Sequence, residues 1–253
     1  MKLDRVIAVR NNKTVFRDGR RCVKIFSPEF SKTAVLEEAL NHARVEACIE
    51  YVPKLLEVIR HNRNWAIVYD FIKGKTVLQW MEEEPEALEE QAAFFAELHV
   101  SLHKNGGGEL NGMKSVFCEK ILEAPLDPSL KHRLYKGLEN MRFSSALCHV
   151  DFVPSNVIVD QEGSFFVIDW ASALAGEPLA DAALTWLELR VKGYGDFADE
   201  YRRVYVRKAQ VSDEAFDAWI PYVAAFQMNY SNEAERALLL EYINNYENKG
   251  EKE

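Results

Sequence analysis

The sequence predicts an α+β protein of two lobes: a small antiparallel sheet with one helix over residues 1–71, then a larger, mostly helical lobe over 72–253. Three observations predict it. The first third is rich in short, alternating β-branched runs separated by turn signals. After Lys73-Gly74-Lys75, long helical periodicities take over. A single compact β region, Ala146 to Trp170, interrupts those helices. Strands first and helices afterwards is an α+β order, not the alternation of βαβ units. A cleft between two such lobes is where a ligand is expected.

The elements follow in order. Arg21 to Phe26 alternates apolar and polar residues after the turn signal Asp18-Gly19. A helix is predicted from Lys32 to Glu50, with Ser31 as its N-cap and Leu36, Leu40, Ala43 and Ala47 on its apolar side. Pro53 closes that stretch, and Leu55–Ile59 and Trp65–Phe71 read as strands joined by the polar turn His61 to Asn64. The next helix spans 85–104, with Leu88, Ala92, Phe95, Leu98 and Leu102 on one face and Gly106-Gly107-Gly108 as its stop. Further helices are expected near 114–123, 128–140, 179–192, 196–209, 212–229 and 232–246.

Composition excludes several functions. A chain of 253 residues buries a full core without staples. Its net charge of −9 argues against a nucleic-acid-binding protein and suits a cationic small-molecule partner. Cys22, Cys48, Cys118 and Cys148 stand far apart, so neither a zinc site nor a disulfide scaffold is expected. The N-terminus has no apolar signal region, and no run of about 18 apolar residues occurs. The expectation is a cytoplasmic protein with no membrane association; the sequence does not indicate an oligomeric state.

The chemistry is concentrated between Leu147 and Trp170. Val157–Asp160 and Phe165–Ile168 read as the strands of a hairpin with a four-residue loop, Gln161 to Ser164. Pairing 160 with 165 sets Asn156 opposite Asp169, with Asp151 reaching the same open end from a loop five residues earlier. An amide oxygen beside a carboxylate is a hard-oxygen pair suited to Mg²⁺, whose shell phosphate oxygens and water complete. A separate aspartate can accept a proton from a hydroxyl nucleophile. Together they fit phosphoryl transfer from a nucleotide to an alcohol.

His149-x-Asp151-x4-Asn156, followed by Ile168-Asp169-Trp170, resembles the aminoglycoside phosphotransferase and choline kinase-like family of small-molecule kinases, which have a protein-kinase-like fold. The resemblance covers nearly the whole chain and is strongest over 147–186, where Gly176 to Asp181 also fits. It implies that Asp151 is the catalytic base or orients the acceptor hydroxyl, that Asn156 and Asp169 hold Mg²⁺, that His149 braces the loop, and that Asp181 anchors the following helix. It implies that Lys24 holds the nucleotide phosphates, although strand alternation alone would turn Lys24 to solvent, with Val23 and Ile25 inward. Its helical partner is Glu37 by the helical wheel and Glu38 by the resemblance, and Glu38 is assigned.

Tyr69 to Ile72 should form the hinge, with backbone groups of Asp70 and Ile72 on the purine edge. The loop covering the phosphates should lie within Arg10 to Phe16, which has no G-x-G-x-x-G. Val150 replaces the Arg of H-R-D, Trp170-Ala171 follows Asp169, and no A-P-E occurs, so a regulated protein kinase is not expected. The implied function is ATP- and Mg²⁺-dependent phosphorylation of a small-molecule hydroxyl: an aminoglycoside, a choline-like compound or another amino or sugar alcohol. A cationic acceptor suits the acidic helical lobe, with Trp186, Trp219, Tyr222, Phe226 and Tyr230 as a candidate aromatic cage. The alternative is a nucleotide-binding pseudokinase acting as a binding module.

Overall fold

In the computed structural model, which describes residues 3–10 and 12–247, the chain opens with strands β1 (Arg5–Arg10), β2 (Lys13–Asp18) and β3 (Arg21–Phe26). Helix α1 (Lys32–Glu46), strands β4 (Leu55–His61), β5 (Asn64–Asp70) and β6 (Gly74–Thr76), and helix α2 (Val77–Glu83) follow. Then come α3 (Leu88–Leu102), α4 (Met113–Glu123), α5 (Pro128–Asn140), β7 (Ala146–Cys148), β8 (Val157–Asp160), β9 (Phe165–Val167) and β10 (Leu174–Gly176). The last helices are α6 (Pro178–Val191), α7 (Gly195–Ala209), α8 (Asp213–Asp217), α9 (Ile220–Gln227) and α10 (Glu233–Glu247).

Packing divides the chain into two units, Met1–Trp80 with Pro154–Ala173, and Met81–Val153 with Leu174–Glu253. A boundary at residue 72 follows chain order alone. The β8–β9 hairpin instead returns to pair with β6, which carries residues 154–173 into the first unit.

The first unit is built on an antiparallel sheet of order β1-β2-β3-β5-β4. Gly19 takes φ +62°, which closes the β2–β3 turn at the expected Asp18-Gly19. One cluster joins Phe26 and Ile67 of the sheet to Val35 and Ala39 of α1. A second contains Val23, Ala66 and Val68, with Phe16, Ile25 and Ile59 packed against it. Strand β3 therefore has buried residues on both faces, Phe26 on the side of α1 and Val23 on the other.

Ser31 caps α1 as expected, its hydroxyl accepting from the Ala34 N–H at 3.1 Å. The buried face of α1 is Val35, Glu38, Ala39, His42 and Val45, whereas Leu36 and Leu40 are 42% and 49% exposed. Counting apolar residues chose the wrong side because the inward side carries a Glu and a His, each with a buried partner. His42 Nε2 lies 2.6 Å from the Pro53 carbonyl oxygen. The helix ends at Glu46 instead of 50.

The hairpin register also differs from the expected one. Val157 pairs with Val167 and Val159 with Phe165, and the Asp160 N–H donates to Ser164 O at 2.9 Å. The loop therefore has three residues, closed by Gly163 at φ +84° and by Asp160 Oδ1 accepting from the N–H groups of Glu162 and Ser164. Asn156 stands opposite Ile168, whose N–H donates to its carbonyl at 2.9 Å, and not opposite Asp169.

The second unit centres on α6, whose residues 180–187 are all buried and which packs against α7, α8 and α9. The helix expected over 212–229 is two helices. Pro221 has no N–H to continue an i→i−4 ladder, and α8 ends at Asp217, four residues before it. Helix α3 stops at Leu102, before the glycines. Those serve a close crossing instead: Gly106 bridges to Ala146, and a Cβ on Gly107 would stand 2.5 Å from the Ala175 Cβ. Strands β6, β7 and β10 are three residues each, too short to show a period in sequence.

Gly107→Ala should push β10 away from the 106–108 segment, an overpacking cost of about 1–3 kcal/mol. Thermal unfolding should show a midpoint lower by several degrees; an unchanged midpoint would contradict the crossing.

Candidate active site

In the first unit, four charged side chains meet. Lys24 projects from β3 towards α1 and is only 6% exposed. An unpaired ammonium at such a site would be strongly disfavoured. Two carboxylates neutralise it: Glu38 of α1, whose Oε1 it contacts, and Asp169, whose Oδ1 accepts at 2.8 Å. Burial pulls the Lys24 pKa down, and Asp169 and Glu38 more than reverse it, leaving it above the usual lysine value. The inward side of α1 thus selects Glu38, while Glu37 is exposed. Alternation did not turn Lys24 to solvent because the face of β3 that carries it, shared with Phe26, is the one packed against α1.

Asp169 is the second half of the arrangement. It follows β9 in the left-handed region, φ +64° and ψ +59°, a conformation Asp tolerates better than most residues. Its Oδ2 accepts from Lys13 Nζ at 3.0 Å, so both carboxylate oxygens hold an ammonium. Burial raises the Asp169 pKa, but Lys24 and Lys13 pull it well below the usual carboxylate range. The backbone past Asp169 is pinned on both sides. Asn41 Nδ2 of α1 donates to Ala171 O at 3.0 Å, and the buried Trp170 donates from Nε1 to Val167 O at 2.9 Å. Asn156, 7% exposed, ends the short 3-10 turn Pro154–Asn156 and lies one position from Asp169 at the hairpin's open end.

The hinge candidates are engaged unequally. The Asp70 N–H donates to Lys54 O at 2.9 Å and the Phe71 N–H to Arg20 O at 3.0 Å, both continuing the sheet. Ile72 follows the end of β5, outside any strand.

In the second unit, Asp151 follows a held turn. Val150 has φ +65°, a strained conformation for a β-branched residue, costing about 1–3 kcal/mol. The carboxylate of Asp181, fully buried on α6, accepts from the His149 N–H at 2.7 Å and the Val150 N–H at 2.8 Å. Asp181 thus reaches back to the loop before Asp151, where the sequence reading had it anchor its own helix. His149 itself is fully buried.

Two histidines of α3 complete the setting. His99 and His103 each bring Nε2 to 3.1 Å from Asp181 Oδ2, and their Nδ1 atoms lie 2.7 and 2.8 Å from the hydroxyls of Tyr201 and Tyr205. Burial raises the Asp181 pKa, and the hydrogen bonds from His103 and His99 bring it far below the usual range. Burial and His103 lower His99 to about 3, so its ring is neutral.

Sequence reasoning missed Lys13, His99 and His103. The histidines' signal was their i, i+4 spacing beside Leu98 and Leu102 on the inward face of α3; Lys13 was the one cation between Asn12 and Thr14 in the segment expected to cover phosphates. Of the candidate aromatic cage, Trp186, Trp219 and Phe226 are core residues, Tyr222 is half-buried, and Tyr230 is exposed.

No curated protein matches the chain in sequence. Among solved structures, a thermostable mutant of aminoglycoside phosphotransferase APH(4)-Ia, in ternary complex with AMP-PNP and hygromycin B, is similar at TM-score 0.70 and 14% identity, over 98% of this chain and 94% of that one. An aminoglycoside-3'-phosphotransferase of type VIII is similar at TM-score 0.62 and 20% identity, over 88% and 93%. The choline kinase LicA from Streptococcus pneumoniae is similar at TM-score 0.61 and 15% identity, over 96% and 95%. At these identities the likeness is one of fold, that of protein-kinase-like phosphotransferases. The model of the phosphotransferase enzyme family, APH, matches residues 5–222, and the chain belongs to that family.

Proposed function

We propose that the protein is a small-molecule kinase that moves the γ-phosphate of ATP to a hydroxyl of its acceptor with the help of Mg²⁺. The observation that carries this reading is the Lys24–Glu38–Asp169 cluster, a fixed cation for phosphate beside a hard carboxylate. Lys24, oriented by Glu38, would hold the α- and β-phosphates. The carbonyl of Asp70 and the amide of Ile72 would take the purine edge.

Asp169 and Asn156 fit a divalent cation by the chemistry of their donors. Both are hard oxygens, they are adjacent at the hairpin end, and Asp169 already stabilises two positive charges. When bound, Mg²⁺ supplies charge neutralisation to the phosphates. Asp151 would align the acceptor hydroxyl and take its proton, its loop held by the buried Asp181.

The neighbours named for aminoglycosides and choline, together with the net charge of −9, support a cationic amino or sugar alcohol as acceptor. All four cysteines are free, which supports a cytoplasmic location. Among the described residues no helix is long and apolar enough to cross a membrane. One observation favours the pseudokinase alternative: no glycine precedes Gly19, so a glycine-rich phosphate cradle is missing.

Turnover separates the two readings. ADP release from MgATP should rise with one member of a panel of aminoglycosides, choline, ethanolamine and other amino or sugar alcohols. Asp151→Asn should lower kcat by about 10²–10⁴-fold with nearly unchanged ATP affinity. Tight ATP binding with no stimulation by any acceptor would favour the binding module.

The Asp181 network has a measurable pH signature. His99 has a folded pKa below its unfolded one, so its contribution is complete above about 6.5 and is lost as pH falls towards about 3. Between pH 6.5 and 5, the wild-type unfolding free energy from urea titrations should fall more steeply than that of His99→Gln, by on the order of 1 kcal/mol per pH unit. Parallel slopes would mean that His99 is not buried neutral.

A further inference from the structure

Lys13 has no role in the functional reading above, yet its placement is specific. It opens β2, where it pairs with Arg10 of β1 on one side and Phe26 of β3 on the other. Val15 pairs with Lys24, so the two-residue period of a strand sets Lys13 and Lys24 on the same face of the sheet, diagonal to each other. Two ammoniums so placed repel. What holds them is the carboxylate of Asp169, one oxygen to each, at 3.0 and 2.8 Å. The Lys13 side chain is 21% exposed, so its long stem is largely packed.

We propose that Lys13 is a second phosphate-binding cation, which passes from Asp169 to the terminal phosphates of the nucleotide when a divalent cation takes its place on Asp169. This rests on the kinase reading. Lys24 keeps Glu38 whatever happens at Asp169, but Asp169 is the one carboxylate within reach of Lys13 in the salt bridges of the described residues. A divalent cation on Asp169 therefore leaves Lys13 beside two cations and without that counter-ion. The anion that arrives with the metal is the polyphosphate, and Lys13 stands on the sheet face that Lys24 also uses.

The same argument accounts for the missing glycines. A glycine-rich loop holds phosphate through close-approaching backbone N–H groups; the β1–β2 segment has no glycine and offers a side-chain ammonium in their place. Lys13 is a binding residue in this proposal, and no bond is made or broken at it.

The test is calorimetric titration of the whole chain with ATP, ADP and AMP in excess Mg²⁺, for wild type, Lys13→Met and Lys13→Arg, with thermal unfolding to establish that each variant folds. Lys13→Met should bind MgATP about tenfold or more weakly, MgADP with a smaller loss, and AMP as wild type does, while Lys13→Arg stays within about threefold of wild type for MgATP. Mn²⁺ alone, followed by its EPR signal, should bind Lys13→Met more tightly than wild type, because one competing ammonium is gone. MgATP affinity in Lys13→Met equal to or above wild type would overturn the proposal, leaving Lys13 as a plug on Asp169 alone. Equal losses for ATP and AMP would also overturn it, as a general loosening of the unit. A wild-type chain that binds none of the three nucleotides would overturn the kinase reading itself.

Discussion

A buried ammonium must be neutralised, and the geometry of the first unit follows from how Lys24 meets that requirement. Its carboxylates come from α1 and from Asp169, two residues past β9, segments far apart in the chain. To reach it, α1 must turn Glu38 inward and leave Leu36 and Leu40 in water, an arrangement an apolar count would never choose. The hairpin must end one residue before Asp169, which then adopts a left-handed conformation. Each concession costs something locally. The ion cluster, with two lysines and two carboxylates, offsets it by leaving no net charge in a half-dry place.

The second unit solves the opposite problem, a buried anion, by a different route. Among the described residues Asp181 is met by no lysine or arginine. It is met by two backbone N–H groups and two imidazoles, which together disperse one negative charge over four donors. Burial holds the His99 ring neutral, its pKa lowered to about 3, so the charge of this unit's interior changes when acid protonates that ring, in a way that a lysine pair would not show.

How much of this was legible follows from what sequence patterns encode. The α+β class was, since strand and helix periods differ, change over near residue 73 and are interrupted by one compact β region. The spacing of Asp151, Asn156 and Asp169 stood out because the apolar runs 157–159 and 165–168 read as a hairpin that gathers these residues at its open end. The one-residue error in register had a local cause: Gly163 shortens the loop through a dihedral that its neighbours do not announce. The inward face of α1 was not legible, since a Glu and a His there look like surface residues until their partners are known. His99, His103 and Lys13 act through contacts to residues 82, 78 and 156 positions away, a range at which a single sequence is silent.

Asp181 grips the loop before Asp151 through the N–H groups of residues 149 and 150, not through their side chains. Nearly every amino acid carries such a group. The grip on that loop is therefore independent of which side chain residue 150 carries, where this chain has Val and protein kinases have Arg. The left-handed backbone there still discriminates: it strains a β-branched residue, and it excludes proline, which has neither an N–H to give nor access to a positive φ. The residue that sets the shape of the loop is Asp181, on another element altogether, so the loop's posture is written in α6 more than in the loop's own side chains.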